Sequence, residues 1–277
     1  MLKETYTLSN GVEIPKLGFG TWQIDDGEAA YNAVKTALEV GYRHIDTAQG
    51  YGNEESVGRA IKDSGVPREE VFVTSKLEAH IKDYDDAKKA FEETLKRLDM
   101  DYIDLFIIHA PWPWGEMGKD CDEGNVEAYR ALEDIYKAKK ARAIGVSNFE
   151  VKHLKNILKN NDIVPHVNQI GYFIGIDQSE TIDFCRENDI FVEAYSPLGI
   201  GFLLENETVQ EVAETYGKTP AQICIRYLLE KGVSTLPKSV HKHRMIENSE
   251  VDFKIADADM KTLDAIEGDP RRWDEIF

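Results

Sequence analysis

Short apolar runs alternate with longer amphipathic stretches along almost the whole chain. Two short alternating runs, 5–8 and 12–15, stand either side of Ser9-Asn10-Gly11. Asn-Gly between such runs predicts a β-hairpin. Residues 17–20 then read as a short buried strand, and 29–40 carry apolar residues at helical spacing. Gly41 follows, where a left-handed helix cap belongs. The same unit recurs to the end. Strands are expected at 43–46, 71–75, 103–108, 143–146, 166–170, 191–195 and 233–236. Helices are expected at 53–64, 84–98, 125–139, 151–159 and 179–188. Pairs of helices, 208–216 with 220–230 and 241–248 with 257–266, follow the last two strands.

Apolar strands that alternate with helices suit a parallel sheet buried on both faces. Counted from Leu17 there are eight such units, the repeat and size of a closed (β/α)8 barrel. The fold expected is α/β, a TIM barrel with an N-terminal β-hairpin and two auxiliary helices. An open, doubly wound sheet is the alternative. No composition break or linker divides the chain, so 1–277 is expected to be one domain.

Composition narrows the function. Acidic residues number 51 against 33 basic ones, a net charge of -18. That argues against non-specific nucleic-acid or anionic-membrane binding, which needs a basic face. Cys121, Cys185 and Cys224 are scattered, with neither a metal-binding pair nor a disulfide framework. No apolar leader opens the chain and no run would span a bilayer. A cytoplasmic protein is expected.

In a barrel, active residues sit at the C-terminal ends of the strands. Those positions hold Asp46, Lys76 and His109, with Tyr51 in the Gly-rich turn after Asp46. Singly, each has a bland explanation: a packed tyrosine, a solvated lysine, a loop histidine before proline. On three successive strand ends they make chemical sense together. A buried lysine needs a partner, and Asp46 supplies one. Lys76 beside the phenol is expected to lower the pKa of Tyr51 and make it a general acid. His109 can orient a carbonyl oxygen. There is no nucleophile elbow and no metal-binding motif, so no metal is expected.

Several segments now carry a family resemblance. Gly18-Phe19-Gly20-Thr21-Trp22, the stretch 46–54, Thr74-Ser75-Lys76-Leu77 and Ile107-Ile108-His109 are four of them. Ala143-Ile144-Gly145-Val146-Ser147-Asn148-Phe149 and Pro237-Lys238-Ser239 complete the set. In this order they resemble the aldo-keto reductases, and within them the small bacterial diketogluconate- and methylglyoxal-reductase-like members. The resemblance implies NADPH-dependent reduction of small aldehydes or ketones. Tyr51 would be the proton donor, Lys76 and Asp46 would tune it, and His109 would orient the carbonyl. A non-catalytic NADPH-binding barrel, regulatory or structural, is the alternative. A monomer is expected.

No Gly-rich dinucleotide fingerprint is present. Barrels instead bind phosphate near the loops after strands seven and eight, where Lys238-Ser239-Val240-His241-Lys242-His243-Arg244 forms a basic patch in an acidic chain. By resemblance Lys238, Ser239 and Arg244 hold the 2′-phosphate of the cofactor, with Val240 among them, and Asn248 meets the adenine. Ser147, Asn148 and Gln169 would grip the carboxamide, and Tyr195 would stack on the nicotinamide. Ser196, Leu198 and Gly199 would pass the pyrophosphate. Gly20, Thr21 and Trp22 would line the mouth. The departures lie around the substrate: Ala110 stands where many relatives carry Trp, and Trp112, with Trp114 just beyond, is expected to replace that wall. The tail beyond Ile266 is expected to give only an abbreviated cover.

Overall fold

The computed structural model describes residues 1–268. Strands β1 (Thr5–Thr7) and β2 (Glu13–Pro15) form the antiparallel hairpin, with Tyr6 opposite Ile14. The eight strands that follow are β3 (Phe19–Gly20), β4 (His44–Asp46), β5 (Phe72–Leu77), β6 (Ile103–Ile108), β7 (Ala141–Ser147), β8 (Val167–Gly171), β9 (Phe191–Tyr195) and β10 (Ser234–Leu236). They pair in sequence order, all parallel. The two edges meet: Gly18 N donates to Thr235 O at 3.0 Å, Thr235 N to Lys16 O at 3.1 Å and Gly20 N to Pro237 O at 3.1 Å. These bonds close the sheet into the expected barrel rather than the open alternative. Gly18 permits the closure, since a Cβ there would lie 2.5 Å from Leu236 Cδ2 and 2.7 Å from His44 Nδ1.

The connecting helices are α1 (Glu28–Val40), α2 (Glu54–Asp63), α3 (Tyr84–Leu98), α4 (Asp122–Lys137), α5 (Val151–Asn160), α6 (Ser179–Glu187) and α8 (Pro220–Glu230), with α7 (Glu207–Tyr216) preceding α8. Helices α9 (Lys242–Ser249) and α10 (Asp257–Asp264) follow β10. None of them is long and apolar enough to cross a membrane. Helix α4 starts before the expected 125 and stops before 139, because Lys139 turns left-handed (φ 59°) and ends it. Short 3-10 turns at Gln49–Tyr51 and Gly199–Glu205 have no sequence period to reveal them. The expected abbreviated cover falls largely in 269–277, outside the described residues.

Period-two alternation divides the strand side chains. In β6, Phe106 and Ile108 join the apolar layer under the helices, while Leu105 and Ile107 point into the barrel. Inside, Leu105, Ile107, Phe72, Ala143 and Val167 pack with Leu8 and Ile14. The hairpin thus plugs the N-terminal end with an apolar floor. Toward the other end the inward positions turn polar: His44, Asp46, Thr74, Lys76, Ser147, Gln169 and Glu193, all buried. Buried polar groups on this scale need partners, and they find them at one level of the barrel.

Candidate active site

Lys76 is fully buried near the end of β5. Its Nζ donates to Asp46 Oδ1 at 2.6 Å, to Thr47 O at 2.9 Å and to Tyr51 Oη at 3.3 Å. Burial works against its charge, yet Asp46 and Tyr51 together hold the ammonium above its ordinary value. It is therefore a fixed cation within reach of the phenol.

The turn that carries Tyr51 is pinned on both sides. Gly52 ends it with φ 67°, a conformation other residues adopt only with strain. Gln49 Nε2 donates to Ala90 O and Thr94 Oγ1, both at 2.8 Å, and its Oε1 accepts from Glu78 N at 3.0 Å. Asn53 accepts from Thr47 Oγ1 and donates to Thr21 O and Ile24 O.

The expected lowering of the Tyr51 pKa is not the net result. Burial is the largest influence and keeps the phenol above its ordinary value; Lys76 pulls it down by charge and by its hydrogen bond, and Asp46 pushes it up. The phenol is therefore protonated at neutral pH, with a fixed cation 3.3 Å from its oxygen.

His109 directly follows β6 and its ring lies edge-on to Tyr51, centroids 5.5 Å apart. Burial, and then Lys76, hold its pKa well below the ordinary value, so the ring is neutral. Its Nδ1 is buried with no hydrogen-bond partner among the described residues. The single ring proton is better placed on Nε2. The loop beyond is held by Lys82, which donates to Ala110 O at 2.8 Å and to Asn125 Oδ1 at 2.7 Å; Asn125 Nδ2 donates to Pro111 O at 2.9 Å.

A cavity of about 600 Å³ opens over these groups. Asp46, Tyr51 and His109 line it, as do Gly20, Trp22, Ser147, Asn148, Gln169, Tyr195, Ser196 and Leu198; Lys238 and Arg244 line it as well. One cavity therefore joins the phenol to two cations. Tyr195 Oη donates to Asn148 Oδ1 at 2.7 Å, Asn148 Nδ2 to His109 O at 3.1 Å, and Ser147 Oγ to Gln169 O at 2.8 Å. These bonds give a rigid bed beside Tyr51.

Other expected residues lie off the wall. Thr21 is buried, its hydroxyl donating to Asp46 O at 2.9 Å. Gly199, Ser239 and Asn248 are buried outside the lining, and Val240 is exposed outside it. Trp112, expected to form the substrate wall, is buried with Ala79 and Ala110, whose small side chains leave room for the indole. Trp114 lines the cavity in its place, with its ring 5.2 Å from His109 and 5.7 Å from Trp112. Gln23, Ile200, Gly201 and Leu204 complete parts of the wall that sequence reasoning did not reach.

Glu193 was missed too. It is fully buried, takes a hydrogen bond from Gln169 and has a pKa raised to about 7, by burial first and by Asp46 second. Alternation along β9 carried the signal: Glu193 shares a face with Phe191 and Tyr195.

The Aldo/keto reductase family pattern matches residues 16–267. The chain is 46% identical over 271 residues to a glyoxal reductase of Bacillus subtilis (strain 168), covering 98% of this chain and 95% of that protein. It is 40% identical over 282 residues to an aldehyde reductase of Saccharomyces cerevisiae (strain ATCC 204508 / S288c), covering 94% and 89%. The crystal structure of an aldo-keto reductase from a Medee basin deep-sea metagenome library superimposes with a TM-score of 0.89 at 44% identity, covering 95% of each chain. The chain belongs to the aldo/keto reductase family, whose members use NAD(P)H, and is an oxidoreductase that reduces carbonyl groups.

Proposed function

We propose that this enzyme reduces small aldehydes and ketones with NADPH, using Tyr51 as the proton donor. One observation carries the reading: Asp46 and Tyr51, both bonded to the buried Lys76, line the same cavity as the cations Lys238 and Arg244. When bound, the reduced nicotinamide supplies a hydride to the carbonyl carbon. The chain's own residues do the rest. His109, neutral, donates its ring N–H to the carbonyl oxygen and aims it at the phenol. As the oxygen gains charge, Tyr51 passes it the hydroxyl proton, and the alcohol forms. Lys76 stabilises the phenolate, and Asp46 keeps Lys76 charged and in place.

The residues present suit the dinucleotide. Gln169 and Asn148 offer amides for a carboxamide, Tyr195 offers an aromatic face, and Ser196 and Leu198 line the same cavity as the cations. Lys238 and Arg244 answer the extra phosphate that distinguishes NADPH from NADH. Trp22 and Trp114 give the substrate an aromatic wall. The likeness to a glyoxal reductase and an aldehyde reductase supports small, reactive carbonyls as substrates.

The test is Tyr51→Phe assayed by NADPH absorbance on glyoxal and short aldehydes. Turnover should be lost while NADPH still binds. Turnover near that of the wild type would refute the mechanism.

A further inference from the structure

The side-chain amide of Gln169 is held by two acids. Its Nε2 lies 2.8 Å from Asp46 Oδ2 and 2.7 Å from Glu193 Oε2. A primary amide has two N–H hydrogens, and here each has its own carboxylate. With both hydrogens committed, the carbonyl oxygen is what Gln169 can offer to a ligand in the cavity it lines. Strand register produces this arrangement. Gln169 pairs with Glu193 across β8 and β9, and Glu193 with Ser234 across β9 and β10. Ser234 Oγ donates to Glu193 Oε1 at 3.1 Å, and His44 Nδ1 lies 3.7 Å from the same oxygen.

Glu193 has no exposed surface, and neither has its neighbour His44. A buried acid is costly, and an apolar side chain of similar size would be cheaper to bury there. Lys76 gives its short contact to Asp46, so ion pairing with Lys76 does not account for Glu193. What Glu193 adds is a second anchor on the amide. With Asp46 alone, Gln169 would hang on one hydrogen bond. Its other N–H, buried and unsatisfied, would turn toward the cavity, where it would meet the N–H of a carboxamide instead of accepting from it.

We propose that Glu193 is a positioning residue for the nicotinamide: together with Asp46 it locks Gln169 with its carbonyl oxygen toward the cavity, as an acceptor for the carboxamide N–H. This rests on the reading of the cavity as an NADPH site.

The experiment titrates wild type, Glu193→Met and Glu193→Gln calorimetrically with two ligands. One is NADPH; the other is 2′-phospho-ADP-ribose, which keeps the phosphates and adenosine but lacks nicotinamide. Glu193→Met should weaken NADPH about tenfold and leave the fragment unchanged. Glu193→Gln should restore NADPH affinity, because its carbonyl oxygen accepts the same N–H. Glu193→Asp, whose carboxylate is one methylene short of Gln169, should show the same split as Met, and serves if the Met variant does not fold. Equal loss for both ligands, or no loss for either, would overturn the inference and leave the cofactor reading intact. A wild-type chain that bound neither ligand would overturn that reading, and the inference with it.

Discussion

Replacing Lys76 with Met removes the ammonium shared by Asp46, Thr47 O and Tyr51. Met has nearly the same length, so the loss is of charge rather than volume. The partner left behind is an acid whose side chain is 5% exposed. Stranding one member of a buried ion pair costs about 3–5 kcal/mol. That is a large share of a typical fold's ~5–15 kcal/mol. Gln169 still donates to Asp46 at 2.8 Å, so the lower part of the range is expected. Urea denaturation should show the midpoint fall with little change in slope. The double variant Lys76→Met/Asp46→Asn separates the two roles of the cluster. It removes the stranded charge and should recover most of the stability, yet not the turnover, since the phenolate still lacks its cation. Two results would sink the reasoning: a loss in Lys76→Met below about 1 kcal/mol, or recovery of carbonyl reduction in the double variant.

Other outcomes follow from the same geometry. Arg244→Ala should weaken NADPH about ten- to a hundredfold and leave NADH nearly unchanged, measured by fluorescence quenching; equal loss for both would mean that Arg244 does not meet the 2′-phosphate. Trp114→Ala should raise KM for apolar aldehydes about tenfold, and more than for small polar ones. Trp112→Ala should instead destabilise the fold by about 3–5 kcal/mol, read by thermal or urea melting, because its indole is buried against Ala79 and Ala110. Glu193 titrates near 7 in the fold against 4.5 for an ordinary carboxyl. The native state therefore keeps a proton that the open chain has released, so this stability is full below the lower value and drains away as pH rises through the upper one. Relative to Glu193→Gln, the wild type should lose about 3 kcal/mol between about pH 4 and about pH 8; urea midpoints for both proteins would check the sign.

The barrel was legible in the chain because strand and helix periods are local: apolar runs, caps such as Gly41 and the Asn-Gly turn report their own backbone. That Asp46, Tyr51, Lys76 and His109 come together was legible because each lies at or just beyond a strand's end, and strand ends converge in this fold. Whatever depended on which neighbour fills which space was not local. The choice of Trp114 over Trp112 was decided by two alanines from different loops. The direction of the Tyr51 shift was decided by how deeply the phenol is buried, a sum over surrounding atoms that no spacing reports. Glu193 stood on the inward face of its strand for anyone counting by twos, but its partner Gln169 is 24 residues away. Sequence fixes which side chains point inward; only closure of the barrel brings the inward groups of separate strands within hydrogen-bonding distance, and it is there that their charges and protons are settled.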